Sequence, residues 1–449
     1  ENSAKNRRKT AMASPLSRYG YLRVGCVSPE LKVADPVFNA DKIIEAVDMA
    51  LEQKCRLLCF PELSISSFSC GDLFFQAELL DRTRYQLERI ARHTAGTSST
   101  IIVGAPLMES GRLFACAVVI SDGDIAGVVP KTYLSNSQEY YEERWFSSEY
   151  DRISDTIFLK NKYAPFGTNL LFEIDGYPGA VFGVEMCEDL WAMKPPSLDM
   201  ASAGASVIFN LSASSEYLGK TDYRRNLVKS QSGRCISAYA YAGSGPGESS
   251  ADMVFSGHCI IAENGKILTE SDKFNFDTTI TIADVDIQKM TLERLRNNSF
   301  GFVKPEKQFR KIKLQMPDIY DDKPMRIINA YPFVPKAKVS RDEVCREIFS
   351  IQSTGLAKRM KHINAKKAVL GVSGGLDSTL ALLAAVKTFK RIDCKLQNIH
   401  AVSMPGFGTS GKTKSNAEKL CQALGVNFET IPINSAVEQH FKDINHDPE

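Results

Sequence analysis

Three residues of different chemistry, Glu62, Lys131 and Cys187, follow apolar segments that are typical of buried strands. Cys187 lies in the run Val181–Trp191, where such a strand is predicted to end and a helix to begin. A helix N-terminus carries partial positive charge, so we expect the thiol pKa to fall from about 8.5 toward 7. A lone cysteine is more often a small buried apolar residue, and its neighbours must decide between the two interpretations.

Glu62 and Lys131 each follow a proline at the end of a strand-like segment, Lys54–Glu62 and Ile125–Lys131. Each charge alone would be a solvated loop residue, since acids and lysines are rarely buried unless they are paired. Together with Cys187 they can form one pocket. Glu62 would carry protons, Cys187 would attack a carbonyl carbon, and Lys131 would stabilise the tetrahedral oxyanion.

These segments resemble the Glu-Lys-Cys triad of the nitrilase, or carbon-nitrogen hydrolase, superfamily. The resemblance is carried by Phe60–Leu63, Pro130–Lys131 and Glu185–Asp189, and it covers roughly residues 20 to 300. Within that superfamily, Phe60–Leu73 and Asn210–Ser214 are most similar to the glutaminase domains of glutamine-dependent NAD synthetases. The resemblance implies an α-β-β-α sandwich that takes glutamine as its amide.

The resemblance also implies which side chains hold glutamine. They are Glu188, Trp191, Ser214 and Lys220. The chain departs from the family pattern at two places. Ser137 stands where a tyrosine six positions after the lysine can help to hold glutamine, and Lys220 stands where arginine is frequent. Both departures bear on the glutamine contacts.

Composition favours a cytoplasmic enzyme of two or three domains. The 449 residues are 43% hydrophobic, enough for large cores. The eleven cysteines are odd in number and scattered, which is typical of reduced thiols rather than of a disulfide framework. A net charge of +2 gives no sign of a nucleic-acid surface, and the six histidines form no metal-binding pattern. No apolar run approaches the roughly 20 residues that span a bilayer.

Short apolar runs alternate with helical periodicity along the chain, so we predict an α/β protein with a mixed sheet. We expect a disordered tail at 1–18, a glutaminase domain at 19–300, a linker at 301–340 and, at 341–449, the N-terminal part of a nucleotide-binding domain with a partial Rossmann-like fold. The linker is predicted from its charges and from prolines at 305, 317, 324, 332 and 335.

The second domain carries its own chemistry, where the strand Lys367–Val372 runs into a glycine- and hydroxyl-rich loop and then a helix. Gly374 and Gly375 permit close approach of an anion, and the helix start favours phosphate. Asp377 would repel phosphate unless a cation stood between them, so Mg²⁺ is implied, with Asp377 as its ligand.

The loop resembles the Ser-Gly-Gly-x-Asp-Ser loop of the ATP pyrophosphatase group. The implied ATP-binding residues are Gly371, Ser373, Gly374, Gly375, Asp377, Ser378, Ser403 and Met404. A competing signal follows, because Gly406–Thr413 matches the Walker pattern of a P-loop that would use Lys412. Pro405 breaks the strand before it and a complete phosphate loop already stands upstream, so we interpret this match as accidental.

Together the two halves predict a glutamine-dependent ligase. Ammonia released from glutamine would attack an acid activated as an acyl adenylate. The resemblance implies that this acid is deamido-NAD (nicotinic acid adenine dinucleotide), with NAD, AMP and pyrophosphate as products, and that the enzyme is a homo-oligomer. Only 82 residues follow Lys367, so we expect the synthetase domain to be incomplete.

Three alternatives stay open at this point. The chain could belong to another ATP-pyrophosphatase amidotransferase with a different acceptor acid. It could also be a stand-alone nitrilase-type amidase with a non-catalytic nucleotide-binding module. In the third alternative the triad is degenerate and the chain is a binding or regulatory subunit.

Overall fold

The chain folds into two units, and the first is built mainly from β-strands. The computed structural model describes residues 15–321, 323–334, 338–406 and 411–447, and the chain divides into the units Glu1–Ile327 and Ile328–Glu449. The strands of the first unit are β1 (Tyr21–Ser28), β2 (Leu57–Cys59), β3 (Thr100–Glu109), β4 (Arg112–Ser121), β5 (Asp124–Pro130), β6 (Thr156–Leu159), β7 (Lys162–Pro165), β8 (Leu170–Ile174), β9 (Val181–Met186), β10 (Val207–Ser212), β11 (Ala238–Gly243), β12 (Ile260–Glu263), β13 (Lys266–Glu270), β14 (Thr279–Asp286) and β15 (Arg310–Leu314).

Two large sheets form from these strands. One has the order β14-β1-β2-β3-β4-β5, and the other has the order β13-β12-β11-β10-β9-β8-β15. The strands β1, β2 and β3 run parallel, as do β9, β10 and β11, whereas β3, β4 and β5 form an antiparallel meander. Both sheets are therefore mixed, as the sequence predicts.

The main core lies between the two sheets. It joins Val24 and Ile102 of the first sheet to Phe172, Phe182 and Val207 of the second. The helices of this unit are α1 (Pro36–Glu52), α2 (Ala77–His93), α3 (Glu188–Trp191), α4 (Ser197–Ser202), α5 (Lys220–Cys235), α6 (Ile287–Arg296) and α7 (Asn298–Phe302).

Separate apolar clusters bind the helices to the outer faces of the sheets. Ile43 of α1 and Leu87 of α2 pack with Val103 of the first sheet, and Val228 of α5 packs with Ile208 of the second. The apolar face of an amphipathic helix stabilises the fold only when a sheet covers it. The resulting layers are α-β-β-α, which confirms the predicted sandwich.

The second unit repeats a β-α pattern. Its elements are α8 (Lys338–His362), β16 (Ala368–Gly371), α9 (Leu376–Arg391), β17 (Ile399–Ser403), α10 (Gly411–Leu424), β18 (Asn427–Thr430) and α11 (Asn434–Asp443). The strands are parallel in the order β16-β17-β18. Leu382 and Phe389 of α9 pack on Ile399 and Ala401 of β17. This confirms the partial Rossmann-like fold.

Two predicted boundaries need correction. The segment 301–340 is not a linker throughout, because β15 pairs in parallel with β8 and Arg326 binds Glu263 at 2.6 Å. The alternation of charged and apolar residues in β15 buries Leu314 and leaves the lysines outward, and the surrounding prolines hid that signal. The predicted tail at 1–18 is also too long. Residues 1–14 lie outside the described part of the chain, but Leu16 is buried in a 3₁₀ helix, Leu16–Tyr19.

No helix among the described residues combines the length and apolarity that crossing a bilayer requires.

Candidate active site

The turn that carries Cys187 is strained. Cys187 has φ 36° and ψ −97°, values that a residue with a Cβ rarely adopts, and such a conformation costs about 1–3 kcal/mol. Its N–H donates to the carbonyl of Leu211 on β10 at 2.9 Å, and its carbonyl accepts the N–H of Leu190 at 3.1 Å. Backbone contacts on both sides therefore hold Cys187, the predicted nucleophile, in place where β9 ends.

Lys131, which directly follows β5, lies between two carboxylates. Its Nζ atom is 2.7 Å from Glu62 Oε1 and 2.7 Å from Glu142 Oε1. The three side chains are buried, and the other oxygen of Glu142 accepts the N–H of Ser135 at 3.0 Å. The structure thus joins two of the three predicted triad residues directly and adds a second acid.

Sequence reasoning missed Glu142. It lies in the polar run Glu139–Arg144, where acidic residues are common and none stands out by spacing. The only available signal is indirect. A lysine that ends a buried strand needs a compensating charge, and one acid, Glu62, was already expected in the same pocket.

Burial dominates the charge state of Cys187. Burial is the main reason that the pKa of the thiol is raised to about 12; the charge of Glu62 acts in the same direction, and that of Lys131 opposes it. The prediction of a thiol pKa near 7 is therefore wrong. The helix that follows Cys187 has only four residues, so its dipole is small, and a thiolate in a dry site loses its hydration.

The pKa of Glu62, the acid beside the Cys187 thiol, lies in a range that suits accepting a proton. Burial raises the pKa of Glu62 to about 7, partly offset by the charge of Lys131, while Glu142 adds to the rise and the Cys187 side chain opposes it. Its Oε2 atom is buried and makes no hydrogen bond of ordinary geometry to the described residues. For Lys131, burial acts to lower the pKa, but the charges of Glu142 and Glu62 prevail and raise it well above its usual value.

The three triad side chains therefore differ in how readily they lose a proton. The pKa of Lys131 is raised well above its usual value, that of the Cys187 thiol is also raised, and that of Glu62 lies near neutrality. A general base works best when its pKa lies near the operating pH.

A second cation stands beside this centre. Lys220, at the start of α5, donates to Ser215 Oγ at 3.1 Å, and Ser215 Oγ donates to Glu139 at 2.7 Å. Burial lowers the pKa of Lys220, and the charge of Cys187 is the largest influence that opposes this shift, so the two groups are close. The ammonium also lies 5.4 Å from the ring centre of Trp191.

The other predicted glutamine contacts surround the same place. Trp191 stacks on Tyr223 with ring centres 5.3 Å apart. Glu188 is partly buried, which raises its pKa. Ser214 is buried next to Ser215. The structure thus places Lys220 and Trp191 together near Cys187, with Glu188 next to Cys187 in the chain and Ser214 next to Ser215, which Lys220 contacts.

Ser137 is exposed, and Tyr140 is the tyrosine that lies at the site. The Tyr140 hydroxyl accepts the N–H of Ser215 at 2.6 Å, and its ring centre is 5.8 Å from the Lys220 ammonium. Burial raises its pKa, and the charge of Cys187 adds to that rise. Sequence reasoning overlooked Tyr140 because it considered only the position six residues after Lys131.

A cavity of about 170 Å³ borders this centre. Its walls include Phe68, Tyr140, Glu142 and Trp145, so one wall is the second carboxylate on Lys131. A larger cavity of about 450 Å³, lined by Tyr21 and other residues, contains no triad residue. No triad residue lines the smaller cavity either, but its lining includes Glu142, which binds Lys131, and Tyr140, which binds Ser215, so it is the cavity that adjoins this centre.

The glycine-rich loop of the second unit connects β16 to α9. Gly374 has φ 82°, a left-handed value that favours glycine. Ser373 Oγ accepts the N–H of Gly375 at 3.3 Å and lies 3.1 Å from Ser378 Oγ. The hydroxyl groups thus shape an exposed loop at the start of a 16-residue helix, where free N–H groups favour an anion.

The remaining predicted ATP contacts lie on the adjacent strand end. Gly371 pairs with Val402 across the parallel strands, which places Ser403 and Met404 beside the loop. Asp377 is exposed. The described residues contain no group of three side chains able to hold a metal by themselves.

The competing Walker-like run is described only in part. Residues 407–410, and the side chains of residues 411–414, lie outside what the structure describes. The interpretation of that match as accidental stays a prediction.

Comparison with known proteins gives matches to both units. The carbon-nitrogen hydrolase family model matches residues 23–294, and the NAD synthase family model matches residues 348–449. The chain is 37% identical over 435 residues to the glutamine-dependent NAD(+) synthetase of Mycobacterium tuberculosis, covering 96% of this chain and 64% of that protein. It is 36% identical over 436 residues to the same enzyme of Mycobacterium leprae, covering 95% of this chain and 64% of that protein.

A solved structure agrees in fold. The glutamine-dependent NAD(+) synthetase from Cytophaga hutchinsonii superposes with a TM-score of 0.53 at 21% identity, over 95% of this chain and 67% of that one. The chain spans about 64% of the length of its mycobacterial relatives.

Proposed function

The chain belongs to the carbon-nitrogen hydrolase family, and we propose that its first unit releases ammonia from glutamine for a reaction that makes NAD in the second. The observation that carries this proposal is the buried ion pair of Lys131 with Glu62 beside the strained Cys187 turn. The 37% identity to a glutamine-dependent NAD(+) synthetase over 96% of this chain supports glutamine as the nitrogen donor and NAD as the product.

The first step forms a thioester. The Cys187 proton passes to Glu62 Oε2 while sulfur attacks the carboxamide carbon of glutamine. The resulting oxyanion lies beside the Lys131 ammonium, whose charge stabilises it without reorganisation because two carboxylates already hold the lysine. Glu62 then gives its proton to the amide nitrogen, the C–N bond breaks, and ammonia leaves.

The second step releases glutamate. Glu62, ionised again, takes a proton from water as the water oxygen attacks the thioester carbon. The C–S bond breaks and the proton returns from Glu62 to sulfur. The pKa of Glu62, about 7, suits both directions of proton transfer near neutral pH.

The neighbouring groups suit an amino-acid substrate. In our proposal Lys220 pairs with the α-carboxylate of glutamine, and Glu188, Trp191 and Ser214 contact the rest of the molecule. Lys220 is partly desolvated, so a charge-assisted hydrogen bond from it contributes more than one at the surface.

The second unit would bind ATP at the loop that begins with Ser373. Hydroxyl and N–H groups of Ser373, Gly375 and Ser378 would contact phosphate oxygens, and Ser403 and Met404 would lie near adenine. Asp377 would hold Mg²⁺, which neutralises phosphate charge when it is bound. The carboxylate of deamido-NAD would displace pyrophosphate to form an acyl adenylate, and ammonia would then displace AMP to give NAD. A cytoplasmic location and a homo-oligomeric state stay predictions.

The test separates nitrogen release from nitrogen use. In the full-length protein, with ATP, Mg²⁺ and deamido-NAD present, Cys187→Ala is expected to abolish NAD formation from glutamine and to retain formation from added ammonium, because sulfur acts only in the first unit. The matched control is Cys345→Ala, which removes an exposed thiol and should retain both activities. Equal loss of both activities in folded Cys187→Ala protein would contradict the proposal.

The same assay tests the other two triad residues. Glu62→Gln and Lys131→Met should each lower glutamine hydrolysis at least 100-fold, a loss of about 2.7 kcal/mol of transition-state stabilisation. Combined with Cys187→Ala they should add nothing. Near-native turnover in either single variant would remove that residue from the triad.

A further inference from the structure

Asp189, two residues after the nucleophile, bridges two separate segments of the active site. Its Oδ1 atom accepts the N–H of Tyr133 at 2.8 Å, and its Oδ2 atom accepts the N–H of Met186 at 2.9 Å. The side chain is 2% exposed. Each carboxylate oxygen therefore has its own backbone donor in a dry environment.

The two donors belong to the segments that carry the chemistry. Met186 ends β9 and directly precedes Cys187, and Tyr133 lies two residues after Lys131. Strand β5, which leads to Lys131, belongs to the six-stranded sheet, whereas β9 belongs to the seven-stranded sheet. Backbone ladders fix distances only within a sheet, so the separation of lysine and thiol depends on contacts between sheets.

We propose that Asp189 is a positioning residue for amide hydrolysis, which sets Lys131 in register with the strained Cys187 turn by accepting one N–H group from each segment. This inference rests on the proposed function, because its main measurement is glutamine hydrolysis. Asp189 acts through Lys131 and Cys187 and exchanges no proton with the substrate.

The two hydrogen bonds to Asp189 require its carboxylate group and not merely a side chain of the same size. Both partners of Asp189 are N–H donors, and an ionised carboxylate presents two acceptor oxygens. An asparagine of the same shape would accept from one donor and turn its NH₂ group toward the other. Burial and the charge of Glu185 raise the pKa of Asp189 to about 8, while the N–H groups of Met186 and Tyr133 oppose that rise.

The first measurement is steady-state glutamine hydrolysis by Asp189→Asn, assayed above the pKa of Asp189. We expect kcat to fall about 100-fold with KM changed less than about threefold, because a displacement near 1 Å misaligns the reacting groups without removing the glutamine contacts. If Asp189 served packing alone, the isosteric variant would keep kcat.

Glu263→Gln is the matched control. Glu263 is a buried carboxylate that accepts the N–H of Asp286 at 2.8 Å and pairs with Arg326, away from the triad. This variant should lower the thermal midpoint of unfolding and leave kcat within about twofold of the wild type. This control distinguishes a loss of folding stability from a loss of alignment between Lys131 and Cys187.

A second measurement needs no glutamine. The rate at which iodoacetamide alkylates Cys187, followed by peptide mass spectrometry, should fall about tenfold in Asp189→Asn, because a displaced Lys131 stabilises the thiolate less. Alkylation of the exposed Cys345 should not change. If the wild type fails to hydrolyse glutamine but Asp189→Asn slows alkylation, the proposed function fails while the positioning role stands.

Asp189→Ala replaces Asp189→Asn if the latter does not accumulate in folded form, since alanine presents no donor to the two N–H groups. Native kcat and native alkylation in the folded variant would overturn the inference. A fall in kcat that only matches a fall in the folded fraction would overturn it as well.

Discussion

The ammonium of Lys131 lies 2.7 Å from Oε1 of Glu62, and solvent reaches neither side chain. Removing one partner of such a pair leaves an unpaired buried charge, which costs about 3–5 kcal/mol. The site is therefore a single electrostatic unit, and substitutions within it should be judged with the fold checked in parallel.

Glutamine hydrolysis should depend on pH through Glu62. In the proposed mechanism Glu62 must be ionised, and its pKa is raised to about 7. Asp189 must also be ionised for its positioning role, and its pKa is raised to about 8, so kcat/KM should rise as pH increases through 7 and toward 8. Ammonia release measured from about pH 5.5 to about pH 8.5 would show this acid limb. A flat or falling profile over that range would exclude Glu62 as the base.

Glu142→Gln should move that limb to lower pH. Glu142 raises the pKa of Glu62 by like-charge repulsion, whereas Lys131 lowers it. Without the second carboxylate, the lysine charge acts on Glu62 alone, so the pKa of Glu62 falls. The measurement is the pH profile of the variant beside that of Glu143→Gln, an exposed neighbour that should leave the profile unchanged. A limb that stays in place would show that Glu142 does not tune the base.

Gly104→Ala should displace the segment that carries Glu62. A Cβ atom added to Gly104 of β3 would lie 2.1 Å from the backbone nitrogen of Leu63 and 2.7 Å from the carbonyl carbon of Glu62. We expect a loss of about 1–3 kcal/mol in the free energy of unfolding, as for other overpacked sites, together with a lower kcat.

Chemical unfolding and glutamine hydrolysis measure the two effects of Gly104→Ala. Gly301→Ala is the control, since a Cβ there has no neighbour within 4 Å and should be tolerated. Native kcat in Gly104→Ala would show that a shift of the Glu62 backbone does not affect glutamine hydrolysis.

Lys220 should govern the affinity for glutamine rather than its turnover. Lys220→Ala is expected to raise KM about 10- to 100-fold, the loss of one charge-assisted hydrogen bond, with kcat little changed. Lys220→Arg should restore most of the affinity, and Lys229→Ala, an exposed change on the same helix, should have no effect. A fall in kcat with native KM would place Lys220 in the chemical step instead.

The two phosphate-loop interpretations predict opposite results. If Ser373–Thr379 binds the phosphates, ATP turnover should give AMP, Asp377→Asn should weaken it, and Lys412→Ala should be mild. A Walker loop demands ADP, with Lys412 essential and Asp377 dispensable. Chromatography of the nucleotide products in both variants of the full-length enzyme decides between them, and the Walker outcome would reject the NAD synthetase proposal.

The sequence alone determined the local chemistry. Strand-ending segments placed Glu62, Lys131 and Cys187 at equivalent positions, and strand–loop–helix patterning identified the loop at Ser373. Patterns of this kind survive because neighbours along the chain fix both the element and its end. The same reasoning failed at β15, whose short alternating run was obscured by charges and prolines.

Tertiary structure decided what depends on burial and on contacts between distant segments. It added Glu142 to Lys131 and raised the pKa of the Cys187 thiol, whereas helix position alone had suggested the reverse. It also linked Asp189 to Tyr133, 56 residues earlier in the chain. Desolvation depends on everything that packs around a group, so no local pattern encodes it. The sequence identifies the candidate reacting residues, whereas the packing of the two sheets sets their charge states and the distances between them.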